Sequence, residues 1–167
     1  MGRKPKDKSS DLLIATRLAG STAAYLAANR VVRNITMNGR QDGGKGNIML
    51  PSQRKGVKRS RWLTDLDIMT EFAGMIAVDC FSRQRKPEFD PTRIDRDLED
   101  LAQSVTGSEA ERDAYLHFLW ESALCVFNKP GVWNFCGFLA DELVEKRTLD
   151  DKRIKEIWNN VMAAAAK

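Results

Sequence analysis

Apolar side chains recur at three- and four-residue steps along most of this chain, and the runs between them are short. Leu12, Leu13, Thr16, Leu18, Ala19, Ala23, Leu26, Ala27 and Val31 keep that spacing behind a capping residue at Ser10 or Asp11. They predict a long alanine-rich helix over about 11–33, with Gly20 as a weak point in it. The spacing returns in "TDLDIMTEFAGMIAVDCFS", where Leu66, Met69, Phe72, Ala73, Ile76 and Cys80 give a broad apolar face behind Asp65 and Asp67 in the first turn. Two prolines in "RQRKPEFDPT" break it, and Ile94, Leu98, Leu101 and Val105 begin another helix. Gly107 and Ser108 separate that from "SEAERDAYLHFLWESALCVFN"; beyond Pro130-Gly131 come a helix to about Lys146 and a short final one.

Only one region departs from the helical period. "RNITMNG" carries the β-branched Ile35 and Thr36 and ends on the turn dipeptide Asn38-Gly39, and "GNIMLP" supplies a second short strand. The fold class that follows is mainly α (α+β), a helical domain with a small β-hairpin in its N-terminal third. Residues 1–10 read as a disordered basic arm, because "MGRKPKDKSS" has no apolar side chain after Met1 with which to offset the entropy of ordering. Residues 11–167 then form one domain, since 167 residues with 43% hydrophobic content bury one sizeable core but hardly two.

Charge adds an asymmetry to this picture. The net charge is +4, yet residues 1–61 hold 14 basic and 3 acidic side chains, against 13 basic and 20 acidic over 62–167. A basic N-terminal third of this kind offers contact with an acidic partner, nucleic acid included. The arm residues Arg3, Lys4, Lys6 and Lys8 and the loop residues Arg54, Lys55, Lys58, Arg59 and Arg61 would neutralise phosphates, with Trp62 as a stacking residue. A tail that merely keeps the protein in solution is the plainer alternative.

Cys80, Cys125 and Cys136 are odd in number, lie in apolar surroundings and lack metal-knuckle spacing, so they read as reduced residues of a cytoplasmic protein. The apolar run after the basic start is broken by Asp11 and Arg17, and "FAGMIAVDCF" is about half the roughly 20 residues a bilayer crossing needs, so no membrane association is expected.

Candidate chemistry is sparse. The single histidine, His117, shares a helix stripe with Glu109, Asp113 and Glu121; the stripe would hold a divalent ion only weakly, and it reads as a solvated acidic face. "GGKGN" lacks the Lys-Ser/Thr ending of a phosphate-binding loop and reads as a hairpin loop. No metal and no cofactor are expected from these residues.

Several segments, in order, resemble the peptidase domain of the FtsH class of ATP-dependent zinc proteases. That family's pattern A-Y-H-E-A-G-H-A-V presents two zinc-binding histidines and a general-base glutamate on one helix. Ala24-Tyr25-Leu26-Ala27-Ala28-Asn29-Arg30-Val31-Val32 is similar to it in frame. "VRNITMNG" and "GNIMLP" resemble the family's first two strands, and "TDLDIMTEFAGMIAVDCFS" its A-G-x-x-A-x-E helix, with Asp79 in place of the glutamate. "RDLEDLAQ" resembles the segment whose aspartate is the third zinc ligand, here Asp97, and "LADELVEKRTLDDKRIKEIW" its closing helices.

The resemblance implies a fold and removes a mechanism. Zinc needs imidazole nitrogens at i and i+4, and a carboxylate beside the first to take a proton from metal-bound water. Leu26, Ala27 and Arg30 supply none of these, and a guanidinium would put fixed positive charge where a dication belongs. An Arg30–Asp97 ion pair in place of the metal is the expectation. The chain then reads as a stand-alone, non-catalytic relative acting as a binding or scaffold protein, with a protein partner whose identity is unknown. Trp120, Trp133, Phe135 and Phe138 are candidate docking residues, and an accessory protein that binds nucleic acid is the alternative.

Overall fold

The computed structural model describes residues 8–38, 46–51 and 60–167. Six helices and three short strands follow in the order α1 Lys8–Ala27, β1 Asn34–Thr36, β2 Asn47–Met49, α2 Arg61–Ala77, α3 Arg96–Gln103, α4 Glu109–Phe127, α5 Val132–Lys146, β3 Thr148–Asp150 and α6 Asp151–Ala165. The expected class, mainly helical with a small β element, is the observed one. No described helix is long and apolar enough to cross a membrane.

Helix α1 lies at the centre, packed against α2 and α5, and α2 in turn packs on α4. The contact with α2 is close because two glycines make it so. A Cβ on Gly20 would lie 2.5 Å from the Ala73 carbonyl oxygen and 2.6 Å from the Ala77 Cβ. One on Gly74 would lie 2.7 Å from the Ser21 Oγ. Gly20, read from sequence as a weakness, is therefore where two helix backbones meet. Trp120, Phe72 and Phe135 are the largest side chains in a single cluster of buried residues that draws on every helix.

Both ends of α1 differ from expectation. The helix already includes Lys8, the first described residue, so Ser10 and Asp11 are helical rather than caps; Asp11 instead pairs with Arg147 Nη1 at 2.6 Å. It ends at Ala27 and not near 33. Asn29 adopts φ 56°, its N–H donates to the Leu26 carbonyl at 2.9 Å, and the Arg30 N–H reaches back to the Tyr25 carbonyl at 2.8 Å. That paired closure is a Schellman turn with asparagine at the left-handed position, which satisfies the last carbonyls of the helix and turns the chain out. Val31 then points away from the core, 43% exposed.

The predicted hairpin is present, with Ile35 opposite Ile48. A third strand joins it, because Leu149 pairs with Ile35 on the other side, giving the antiparallel order β2-β1-β3. Thr148–Asp150 is too short to show a period of its own between two helices. The N-caps of α2, α3, α4 and α6 are Ser60, Asp95, Ser108 and Asp150, each accepting a backbone N–H of the first turn. Since α2 begins at Arg61, Asp65 and Asp67 sit one turn further in than expected.

Candidate functional site

A cleft of about 560 Å³ opens between α1, α2, the start of α3 and strand β2. Four residues of α1 line it: Arg17, Leu18, Ser21 and Tyr25. Their spacing is that of one helix face. Opposite them α3 brings Asp97 and its capping residue Asp95, α2 brings Asp67, Thr70 and Glu71, and β2 brings Asn47 and Ile48. Among the described residues the cleft is lined by four carboxylates and one cation.

The polar groups on α1 are tied to α2. Arg17 Nη2 donates to Glu71 Oε2 at 2.5 Å. The buried Ser21 hydroxyl donates to the Thr70 carbonyl at 2.8 Å, and the Tyr25 hydroxyl to Asp67 Oδ1 at a long 3.4 Å. Asp95 Oδ1 accepts the Leu98 N–H at 3.0 Å, as an N-cap does. Asp97, exposed in the first turn of α3, makes no ion pair or hydrogen bond to a described residue. Among the described strands β2 has one neighbour, β1, and its Asn47 and Ile48 line the cleft together with Asp97 and Leu98.

Of the positions singled out by sequence, Asp97 lies in this cleft and Leu26, Ala27 and Arg30 do not line it. Leu26 and Ala27 pack partly buried against the core in the last turn of α1. Arg30 lies beyond the helix end, so it cannot share a face with Leu26, and it forms no ion pair with Asp97. Its guanidinium instead sits 5.5 Å from the ring centre of Trp62. The expected Arg30–Asp97 pair is therefore corrected: the Schellman turn carries Arg30 toward the start of α2, away from α3.

Three residues not singled out from sequence as site residues line the same cleft as Asp97. Arg17, Leu18 and Ser21 stand at i, i+1 and i+4 on α1 with Ala19-Gly20 between them. This is the spacing and the central dipeptide of H-E-A-G-H, nine residues upstream of the frame chosen from Ala24-Tyr25. The Ala-Gly pair was the available signal, since only a small residue and a glycine let α1 approach α2 this closely.

The donor set does not suit zinc in either frame. At Arg17, Leu18, Ser21 and Asp97 it comprises a guanidinium, an isobutyl group, a hydroxyl already donating to a carbonyl, and a carboxylate. Among the described residues no group of three His, Cys, Asp or Glu side chains is placed to hold a metal. His117, the chain's one histidine, lines a separate cavity on α4, edge-on to the Phe89 ring at 5.2 Å.

The other expected contacts divide. Trp120 and Phe135 are buried core residues, 1% and 0% exposed, and so are not docking residues; Phe138 is 61% exposed and Trp133 is partly buried against Phe127 and Phe81. Arg3, Lys4, Lys6, Arg54, Lys55, Lys58 and Arg59, and the Lys8 side chain, lie outside the described residues. Arg61 and Trp62 are described: the Arg61 guanidinium lies 5.5 Å from the Tyr115 ring centre, next to the Arg30–Trp62 pair. The Tyr115 hydroxyl donates to Asp65 in a short bond, and burial, with that carboxylate, holds its phenol well above the usual range. Comparison with models of known protein families and with curated proteins finds no match to the chain.

Proposed function

We propose that this chain is a non-catalytic relative of the FtsH-class peptidase domain that uses the former metal cleft as a groove for an extended, basic segment of a partner protein. The observation that carries the reading is the placement of Arg17, Leu18, Ser21 and Asp97 around one cleft beside β2, an edge strand of the sheet among the described residues. A peptide strand added there would gain main-chain hydrogen bonds from the edge. Asp97, with Asp95 beside it, would favour lysine or arginine side chains, with Glu71 already held by Arg17. Two histidines and a glutamate are needed to hold zinc and activate water, and none stands on α1.

Fluorescence anisotropy with labelled ten-residue peptides tests this. Basic extended peptides should bind, acidic ones should not, and Asp97→Lys should weaken binding by about tenfold, the ratio equivalent to roughly 1.4 kcal/mol. Equal binding of both peptide classes, or indifference to Asp97→Lys, rejects it.

A second reading, an accessory protein that binds nucleic acid, is favoured by one observation. Arg30 over Trp62 and Arg61 over Tyr115 form adjacent cation–aromatic pairs directly after the basic segment 52–59, and Trp62 remains 51% exposed. Affinity for single-stranded DNA that falls steeply with salt and drops on Trp62→Ala supports this reading. A salt-independent signal excludes it.

A further inference from the structure

After α2 the chain makes a π-helical turn, Val78–Ser82, in which the Arg83 N–H donates to the Val78 carbonyl five residues back at 3.1 Å. The turn places Asp79 entirely inside, 0% exposed. A buried carboxylate is costly unless it is paired and hydrogen-bonded, and one guanidinium would neutralise it. Three converge on it. Arg93 forks across both oxygens, Nη1 to Oδ2 at 2.6 Å and Nη2 to Oδ1 at 3.1 Å. Arg85 approaches Oδ1 with Nε at 2.9 Å and Nη2 at 2.8 Å. Arg83 lies 3.6 Å away, near enough to feel the charge but without a hydrogen bond.

The backbone is bent to achieve this. Gln84, between Arg83 and Arg85, has φ 50°, a left-handed conformation unusual for a residue with a Cβ, and it folds the chain back so that both neighbours reach Asp79. π-turns and strained residues of this sort gather at functional sites. Asp79 accepts from Arg85 and Arg93, and each of the three arginines has N–H groups beyond those that reach it. Arg83 and Arg85 are about half exposed, 49% and 47%, and Arg85 and Arg93 line a cavity of about 330 Å³ with Lys86. Glu88 and Asp90 share that cavity, but Asp90 is engaged by the Thr92 hydroxyl and N–H, bonds that hold its carboxyl below the usual range.

We infer that the Arg83–Arg85–Arg93 cluster is a binding site for a phosphate-type oxyanion, with Asp79 as the buried post that aims the guanidinium groups. The three arginines and Lys86 outnumber Asp79, Glu88 and Asp90 by one, which matches a ligand of single or double charge. Planar guanidinium forks are the donors that suit tetrahedral oxyanions.

Titration calorimetry of the full chain with inorganic phosphate, at ionic strength held constant with sodium chloride, tests the site. One saturable site is expected, weakened at least tenfold by Arg85→Gln and by Arg83→Gln, and unchanged by Lys152→Gln on the exposed face of α6. Arg83 donates no hydrogen bond to Asp79, so Arg83→Gln keeps the test alive if Arg85→Gln does not fold. The inference is overturned if phosphate gives no saturable heat beyond chloride, or if the Arg83 variant binds as tightly as the native chain.

Discussion

Replacing Gly20 by alanine has opposite expected signs, depending on whether the sequence or the packing decides. Within an isolated helix the change stabilises by about 1 kcal/mol, because glycine has more backbone freedom to lose. In the fold the new methyl lies 2.5 Å from the Ala73 carbonyl oxygen and 2.6 Å from the Ala77 Cβ, against the roughly 3.5–4.0 Å at which carbon atoms rest. Neither neighbour is the end of a flexible side chain, so α1 and α2 must part by about 1 Å. Parting them loosens the Arg17–Glu71 and Ser21–Thr70 contacts of the cleft as well. Overpacking of this severity costs about 3 kcal/mol, which leaves a net loss of about 2 kcal/mol after the propensity gain. Urea unfolding should show a lower midpoint at unchanged slope, and thermal unfolding a Tm lower by about 4–8 °C. A Gly20→Ala protein more stable than the native one by about 1 kcal/mol, the propensity value, would refute the close-contact argument.

The same residue shows what sequence could and could not convey. Helical periodicity located every helix, because each buries one face, and the β-branched pair with Asn-Gly marked the hairpin. What failed was position along α1. Alanine-rich sequence continues smoothly to Val32, and the stop is set by a single left-handed asparagine whose carbonyl bonds are not written in any spacing. Under the family reading proposed above, Ala24-Tyr25 and Ala19-Gly20 would both be fragments of the pattern, and the packing of Gly20 on α2 with Asp97 in the same cleft favours the second. The Asp79 cluster was illegible for a different reason: Arg83, Arg85 and Arg93 belong to a segment that reads as a charged, proline-broken linker, and a buried carboxylate leaves no trace in the spacing of its partners.

Two stability measurements separate core from surface and test the charged network of the last helices. Trp120→Ala should cost about 3–5 kcal/mol in urea unfolding, since the ring is 1% exposed and meets Phe72 edge-on at 5.4 Å, whereas Phe138→Ala should stay within about 0.5 kcal/mol. Glu142 is held below its ordinary value of 4.5 chiefly by hydrogen bonding to Arg153, with Lys146 adding to it, so its folded-state pKa lies under the unfolded one. It contributes stability above the unfolded value that is lost as pH falls through the folded one, and Glu142→Gln should flatten that part of the acid limb; an unchanged limb would count against the network. The frame of the site can be tested by rebuilding it. Arg17→His, Leu18→Glu and Ser21→His together place two imidazoles one turn apart on α1 and a carboxylate beside the first, all facing the native Asp97 across the cleft. Leu26→His, Ala27→Glu and Arg30→His place the same groups where the helix has already ended, with the second imidazole carried off by the Schellman turn. Equilibrium dialysis should find about one zinc per chain retained by the first variant and none by the second, because three converging ligands are the least that holds the ion tightly. Equal uptake by both, or none by the first while its circular dichroism matches the native chain, would refute the proposal that residues 17–21 stand where the family would hold its metal.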